Sequence, residues 1–251
     1  MSRKHAKKRK SKHNGFAIVT IVVAIVCIAY ICFLKWKSSE EYRKWETDFI
    51  LPAYTGSSYV EINNNKPYFT TEEINTNTFE IYSELDSLGR CGVAFANVSK
   101  ELMPTEERGK IGNIKPTGWM QAKYEGYVDS KPPYLYNRCH LIAYCLTAEN
   151  ANEKNLITGT RYMNVEGMLP FEEKVARYLD YNDNHVLYRV TPVFEGNNLL
   201  ASGVIMEAYS VEDNGKGICF CVYVYNVQPG INIDYRTGKS EVEKTLVNTA
   251  L

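Results

Sequence analysis

Between Tyr134 and Val193 the spacing of apolar residues changes twice, and this order of periods limits the folds open to the chain. Tyr134 to Leu146 alternates as a strand and its turn do, with His140 near the middle, and Asn155 to Ile157 reads as a second short strand. From Phe171 to Tyr181 the apolar residues Phe171, Val175, Ala176, Tyr178 and Leu179 recur at helical spacing. Pro170 suits the first turn of that helix, where a missing N–H costs little. Val186–Val193, Leu199–Tyr209 and Ile218–Val227 are three further strands, separated by turn chemistry at Asn197-Asn198 and Asn214-Gly215. Upstream, Tyr59 to Ile62 and Tyr68 to Thr70 read as a hairpin about Asn63–Lys66. Gly92 to Val98 reads as a strand, and Glu106 to Thr117 as a loop carrying Arg108. The expected class is α+β, with an antiparallel central sheet and helices on its faces.

A different segment precedes this domain. Phe16 to Leu34 runs 19 residues without a charge. At about 1.5 Å rise per residue, that approaches a hydrocarbon core of about 30 Å. Residues 1–37 hold nine Lys/Arg and no acid, mostly ahead of the span. Positive charge there favours a cytoplasmic N-terminus and an external remainder. A cleaved signal peptide is the rival reading, although no small-x-small site follows Leu34. The expected organisation is a basic tail over 1–15, a transmembrane anchor over 16–34, a stalk and linker over 35–58, and a folded domain over 59–251.

The formal net charge is zero, which hides an asymmetry. Residues 38–251 carry 20 Lys/Arg against 29 Asp/Glu, a balance of −9. Global electrostatics therefore argue against nucleic-acid binding by the domain as a whole. Only a local basic strip could serve, drawn from Arg108, Lys110, Lys115, Lys123, Arg138 and Arg161. Of seven cysteines, Cys27 and Cys32 lie in the apolar span, and the other five match no metal-binding spacing. Cys219 and Cys221 share one strand face and suit packing as small apolar side chains. The 19 tyrosines could stack on bases, but tyrosines on strands more often pack in the sheet.

The chemistry concentrates between residues 108 and 172. His140 is one of two histidines outside the basic tail; the other, His185, sits in a polar turn and reads as structural. An imidazole near pKa 6.5 can take a proton from water at neutral pH. Asn164 offers a neutral oxygen to a hard cation, which needs few protein ligands. Arg108 and Arg138 can pair with a phosphate through two N–H groups. A single base, an oxygen ligand and flanking arginines suit cleavage of a phosphodiester.

The motif Asn137-Arg138-Cys139-His140, followed by Asn155, Asn164 and Glu172, resembles the DNA/RNA non-specific endonuclease family. That family's ββα-metal motif usually reads D-R-G-H, then N-x8-N-x7-E. The resemblance covers roughly residues 55–230 and is strongest to membrane-anchored DNA-uptake nucleases and secreted DNases of Gram-positive bacteria. Asn137 stands where Asp is usual, and Cys139 where Gly is usual, which puts a side chain beside the base. The resemblance implies a Mg²⁺-dependent endonuclease, with Mn²⁺ as a substitute ion, acting on DNA or RNA outside the cell. His140 is then the general base, Asn164 the metal ligand and Arg108 the phosphate contact. Glu172 holds a metal-bound water, and Asn155 braces the metal loop. The alternative is an inactive, membrane-tethered binding ectodomain of the same fold, favoured by the negative domain charge and by Cys139.

Overall fold

The computed structural model describes residues 50 and 52–244. The expected tail over 1–15, the span over 16–34 and the stalk up to residue 49 lie outside the described residues. Among the described residues, no helix is long and apolar enough to cross a membrane. The compact unit that carries the sheet begins at Tyr54.

The strands are β1 (Tyr59–Glu61), β2 (Phe79–Tyr82), β3 (Ala94–Val98) and β4 (Tyr136–His140). Helix α1 (Tyr144–Thr147) and strand β5 (Leu156–Thr160) follow. A helical turn at Arg161 and Tyr162 leads through a π-helical segment, Met163–Met168, into α2 (Leu169–Asp180). Then come β6 (Val186–Val193), β7 (Gly203–Ser210), β8 (Cys219–Tyr225), β9 (Ile231–Ile233) and β10 (Ser240–Val242). Six strands form one antiparallel sheet in the order β1-β8-β7-β6-β3-β2. β4 pairs with β5, and β9 with β10, in separate two-stranded sheets.

Residue parity divides the sheet into two faces. Val186, Tyr188 and Val190 on β6 face the same way as Val204, Met206 and Ala208 on β7, and as Phe220, Val222 and Val224 on β8. These side chains form the main core with Val175 and Leu179 of α2 and with Met163, Met168, Leu141 and Ile142. The opposite face is also covered. There Arg189 is paired to Glu207 (2.8 Å) and to Glu73 (3.1 Å) and lies over the rings of Phe69 and Phe95. Burial on both faces explains why the long strands read as nearly continuous apolar runs.

Several expectations need correction. Tyr59–Glu61 does not pair with Tyr68–Thr70; it pairs antiparallel with β8. Three consecutive residues with positive φ, Asn63, Asn64 and Asn65, turn the chain away, and the Tyr68 N–H donates instead to Glu207. Residues 54–58 do not hang free as a linker. Tyr54 packs edge-on against Tyr225 at 5.4 Å, and the Tyr225 N–H donates to the Ser58 carbonyl. The second of the three long strands starts at Gly203 rather than Leu199. β2, β9 and β10 are too short to show a period.

Cys139 finds its space across the β4–β5 pair. It lies on the face opposite the cleft described below, fully buried, beside Gly159 and Met163. A methyl group at Gly159 would overlap the Cys139 Sγ. Gly159→Ala should therefore destabilise the fold by about 1–3 kcal/mol, the usual cost of overpacking. Adding Cys139→Ala should recover most of that loss in urea unfolding midpoints. A double variant no more stable than Gly159→Ala would refute the packing account.

Candidate active site

β4 ends in the residues that matter. Arg138 and His140 both border one cleft of about 640 Å³, which Asn137, Arg108, Arg161, Asn164 and Glu172 also line. His140 is 6% exposed. Its Nε2 lies 2.8 Å from the Asn150 carbonyl, which can only accept, so Nε2 carries the proton. Nδ1 is left with its lone pair, and the Arg108 Nη2 donates to it at 3.2 Å. Burial and the Arg108 charge hold the imidazole down at about 4, against the pull of the Asn150 hydrogen bond. His140 is therefore neutral at pH 7 and able to accept a proton.

Asn155 fixes the chain that leaves His140. It is fully buried; its Oδ1 accepts from the Ile142 N–H and its Nδ2 donates to the Ile142 carbonyl, each at 2.9 Å. Its own carbonyl accepts from the Leu141 N–H at 2.8 Å. Both ends of the amide are consumed, so Asn155 braces the loop and is no ligand.

Asn164 sits inside the helix, on its π turn, and not ahead of the helix as the sequence suggested. The Leu169 N–H bonds the Asn164 carbonyl five residues back. An unbroken α-helix would leave residues 164 and 172 about 80° apart. The π turn absorbs about one residue, which reduces the offset to about 20°. Asn164 and Glu172 thus face the cleft together. Pro170 has no N–H to offer the Glu166 carbonyl, and the Ser58 hydroxyl donates to it instead at 2.8 Å.

Glu172 is 8% exposed, and burial pushes its carboxyl up to about 8; Arg108 opposes this and Glu173 adds to it. Neither its carboxylate nor the Asn164 amide has a hydrogen-bond partner among the described residues. Two unsatisfied oxygen donors on one helix face are the chemistry a hard divalent ion takes, with water and substrate supplying further ligands. Among the described residues there is no group of three or more His, Cys, Asp and Glu side chains that could cage a metal. The donor set therefore fits a sparsely held, oxygen-liking cation.

The arginines divide their work. Arg108 stands exposed at the cleft beside His140. Arg161 also lines the cleft and has no ion-pair partner among the described residues. Arg138 is already engaged: its Nε donates to the Ile114 carbonyl, its Nη2 to the Gly112 carbonyl at 2.8 Å, and its guanidinium lies 4.2 Å from the Trp119 ring centroid. Lys110, Lys115 and Lys123 do not line the cleft. His185 is bound to Glu212 at 2.6 Å and to Thr78 at 3.2 Å, a structural role as expected. The Asn150 carbonyl was beyond sequence reasoning, because a main-chain acceptor leaves no mark in residue type. The stacked Trp119–Arg138 pair left only the weak signal of an aromatic ahead of a basic strand.

The depressed His140 pKa has a testable sign. The unfolded chain binds this proton more tightly, so the neutral imidazole's contribution to stability is complete above about 6.5 and is lost as pH falls through about 4. NMR titration of the metal-free protein should place the His140 midpoint near 4. Arg108→Met should raise it, since one depressing charge is removed. An ordinary midpoint near 6.5 in the unaltered chain would refute the burial assigned to this ring.

Residues 70–212, more than half of the chain, match the family model described as DNA/RNA non-specific endonuclease. A deoxyribonuclease of Streptococcus dysgalactiae subsp. equisimilis is 36% identical over 110 residues, which are 42% of this chain and 32% of that protein. The match thus spans about a third of that relative's length. The structure of Sda1 nuclease with bound zinc ion aligns with a TM-score of 0.61 at 25% identity, over 75% of this chain and 97% of that one. NucA from Streptococcus agalactiae with magnesium ion bound aligns with a TM-score of 0.65 at 24% identity, over 76% and 90% of the two chains. At that last identity the likeness is one of fold.

Proposed function

We propose, because this chain belongs to the DNA/RNA non-specific endonuclease family, that it hydrolyses DNA phosphodiester bonds outside the cell with a divalent metal ion and little sequence preference. Magnesium is the ion of choice, manganese its substitute, and RNA a second substrate. One observation carries the reading: His140, Arg108, Asn164 and Glu172 border a single cleft. Had the imidazole and the Asn164 amide faced different surfaces, the proposal would have failed.

Asn164 would hold the ion, with Glu172 holding a water beside it; when bound, the ion supplies positive charge against the phosphorane and the departing 3′ oxygen. His140 takes a proton at Nδ1 from the water that attacks phosphorus in line, while the Asn150 carbonyl keeps the Nε2 proton in place. Arg108 covers that lone pair before substrate arrives. A phosphate oxygen is the stronger acceptor, so it draws the guanidinium away and uncovers the base. The same exchange brings negative charge near the imidazole and removes positive charge, which makes His140 more basic when it is needed. Arg108 then neutralises a non-bridging oxygen, and Arg161 is placed to hold a neighbouring phosphate. The products end in 5′-phosphate and 3′-hydroxyl. Contacts confined to the backbone explain the expected lack of sequence preference. The apolar span over 16–34 would tether this domain to the outer membrane surface, with the basic tail inside.

Plasmid nicking by the purified chain, with magnesium and with EDTA, separates this enzyme from an inactive binding ectodomain. His140→Ala should lower turnover at least about a hundredfold, the usual size of a general-base effect. Full activity in that variant would remove His140 from the mechanism. Asn164→Ala should shift the magnesium titration to higher concentration, and an unchanged titration would refute its role as ligand.

A further inference from the structure

One wall of the cleft carries aromatic rings that the hydrolytic chemistry does not use. Tyr134 stands just ahead of β4, is 40% exposed and forms a β-bridge with Lys123. The Lys123 ammonium lies 5.0 Å from its ring centroid. Trp119, with the Arg138 guanidinium 4.2 Å from its ring centroid, is a second ring at the cleft. Both rings border the cleft that holds His140. The Tyr134 hydroxyl makes no hydrogen bond among the described residues.

We infer that this wall is a stacking site for one unpaired nucleobase next to the scissile phosphate, and that the protein acts preferentially on single-stranded or frayed nucleic acid. The inference rests on the nuclease reading above and names its substrate class. Three observations support it. The cleft, at about 640 Å³, is of a size that takes a ligand as large as a nucleotide. Residues 38–251 carry a balance of −9, so affinity for a polyanion must come from local contacts, and ring stacking supplies one that charge does not oppose. Each ring is paired with a cation, which joins a base-sized flat surface to a phosphate-sized charge. In a continuous duplex both faces of each base are already stacked, so a duplex must first give up a base to use this wall.

The test compares kcat/KM of the full chain on one sequence presented as a single strand and as a duplex. Tyr134→Leu should lower the ratio of single-strand to duplex activity by about 5- to 150-fold, the range set by loss of one stacked base. Tyr134→Phe keeps the ring and should keep the ratio. Equal losses on both substrates, or a Phe variant as impaired as Leu, would overturn the inference. A second arm needs no catalysis. Fluorescence anisotropy of a labelled single strand, in the His140→Ala chain without metal, should show weaker binding by a similar factor when Tyr134→Leu is added. If the unaltered chain cleaves neither substrate, the nuclease reading fails, and this binding arm still decides whether the wall takes a base: unchanged binding overturns it.

Discussion

A main-chain carbonyl decides what the central imidazole can do. The Asn150 oxygen accepts from Nε2 of His140, and this leaves Nδ1 as the nitrogen with a free lone pair. That carbonyl belongs to the loop between α1 and β5, and its position depends on the Asn155 amide, which closes the loop against Ile142. A carboxylate in place of Asn155 could accept from the Ile142 N–H but could not donate to its carbonyl. The imidazole, its tautomer and the loop are thus one unit, held by a side chain that does not line the cleft. Burial then does the rest: it keeps the imidazole uncharged and keeps Glu172 short of solvent, so both groups answer strongly to any charge that enters.

The electrostatics of the domain are local by construction. Acidic residues outnumber basic ones over most of the chain, yet three arginines meet at one cleft. One of these, Arg138, spends its donors on the carbonyls of residues 112 and 114 and shapes the wall. Arg108 and Arg161 remain for a ligand. The division follows from position: Arg138 lies on a strand and is fixed by its neighbours, whereas Arg108 projects from a loop without regular structure.

Much of this was legible in the sequence. The helical spacing from Phe171 found α2, and the apolar run Val186–Val193 matched β6 residue for residue. The His140, Asn155, Asn164 and Glu172 spacing marked side chains that do converge on the loop and the cleft. What was lost had physical causes. β1 pairs with β8 across more than 150 residues, a partner that no local period announces. Asn164 read as the residue before a helix, because an interrupted helix and a helix start look alike by composition. The concern about Cys139 dissolves because strand alternation sends it to the face opposite His140, where Gly159 leaves room.

The π turn ahead of α2 sets regularity against usefulness. Recasting Met163–Met168 as an ordinary α-helix, with no residue lost, would gain the even hydrogen-bonding ladder that such helices prefer. It would also rotate the amide of Asn164 by about 100° relative to Glu172. The two oxygens would then look in different directions, and the better-formed helix would be the poorer host for a cation. The irregular turn is thus what aims both oxygens at one cleft, at the expense of the regular ladder.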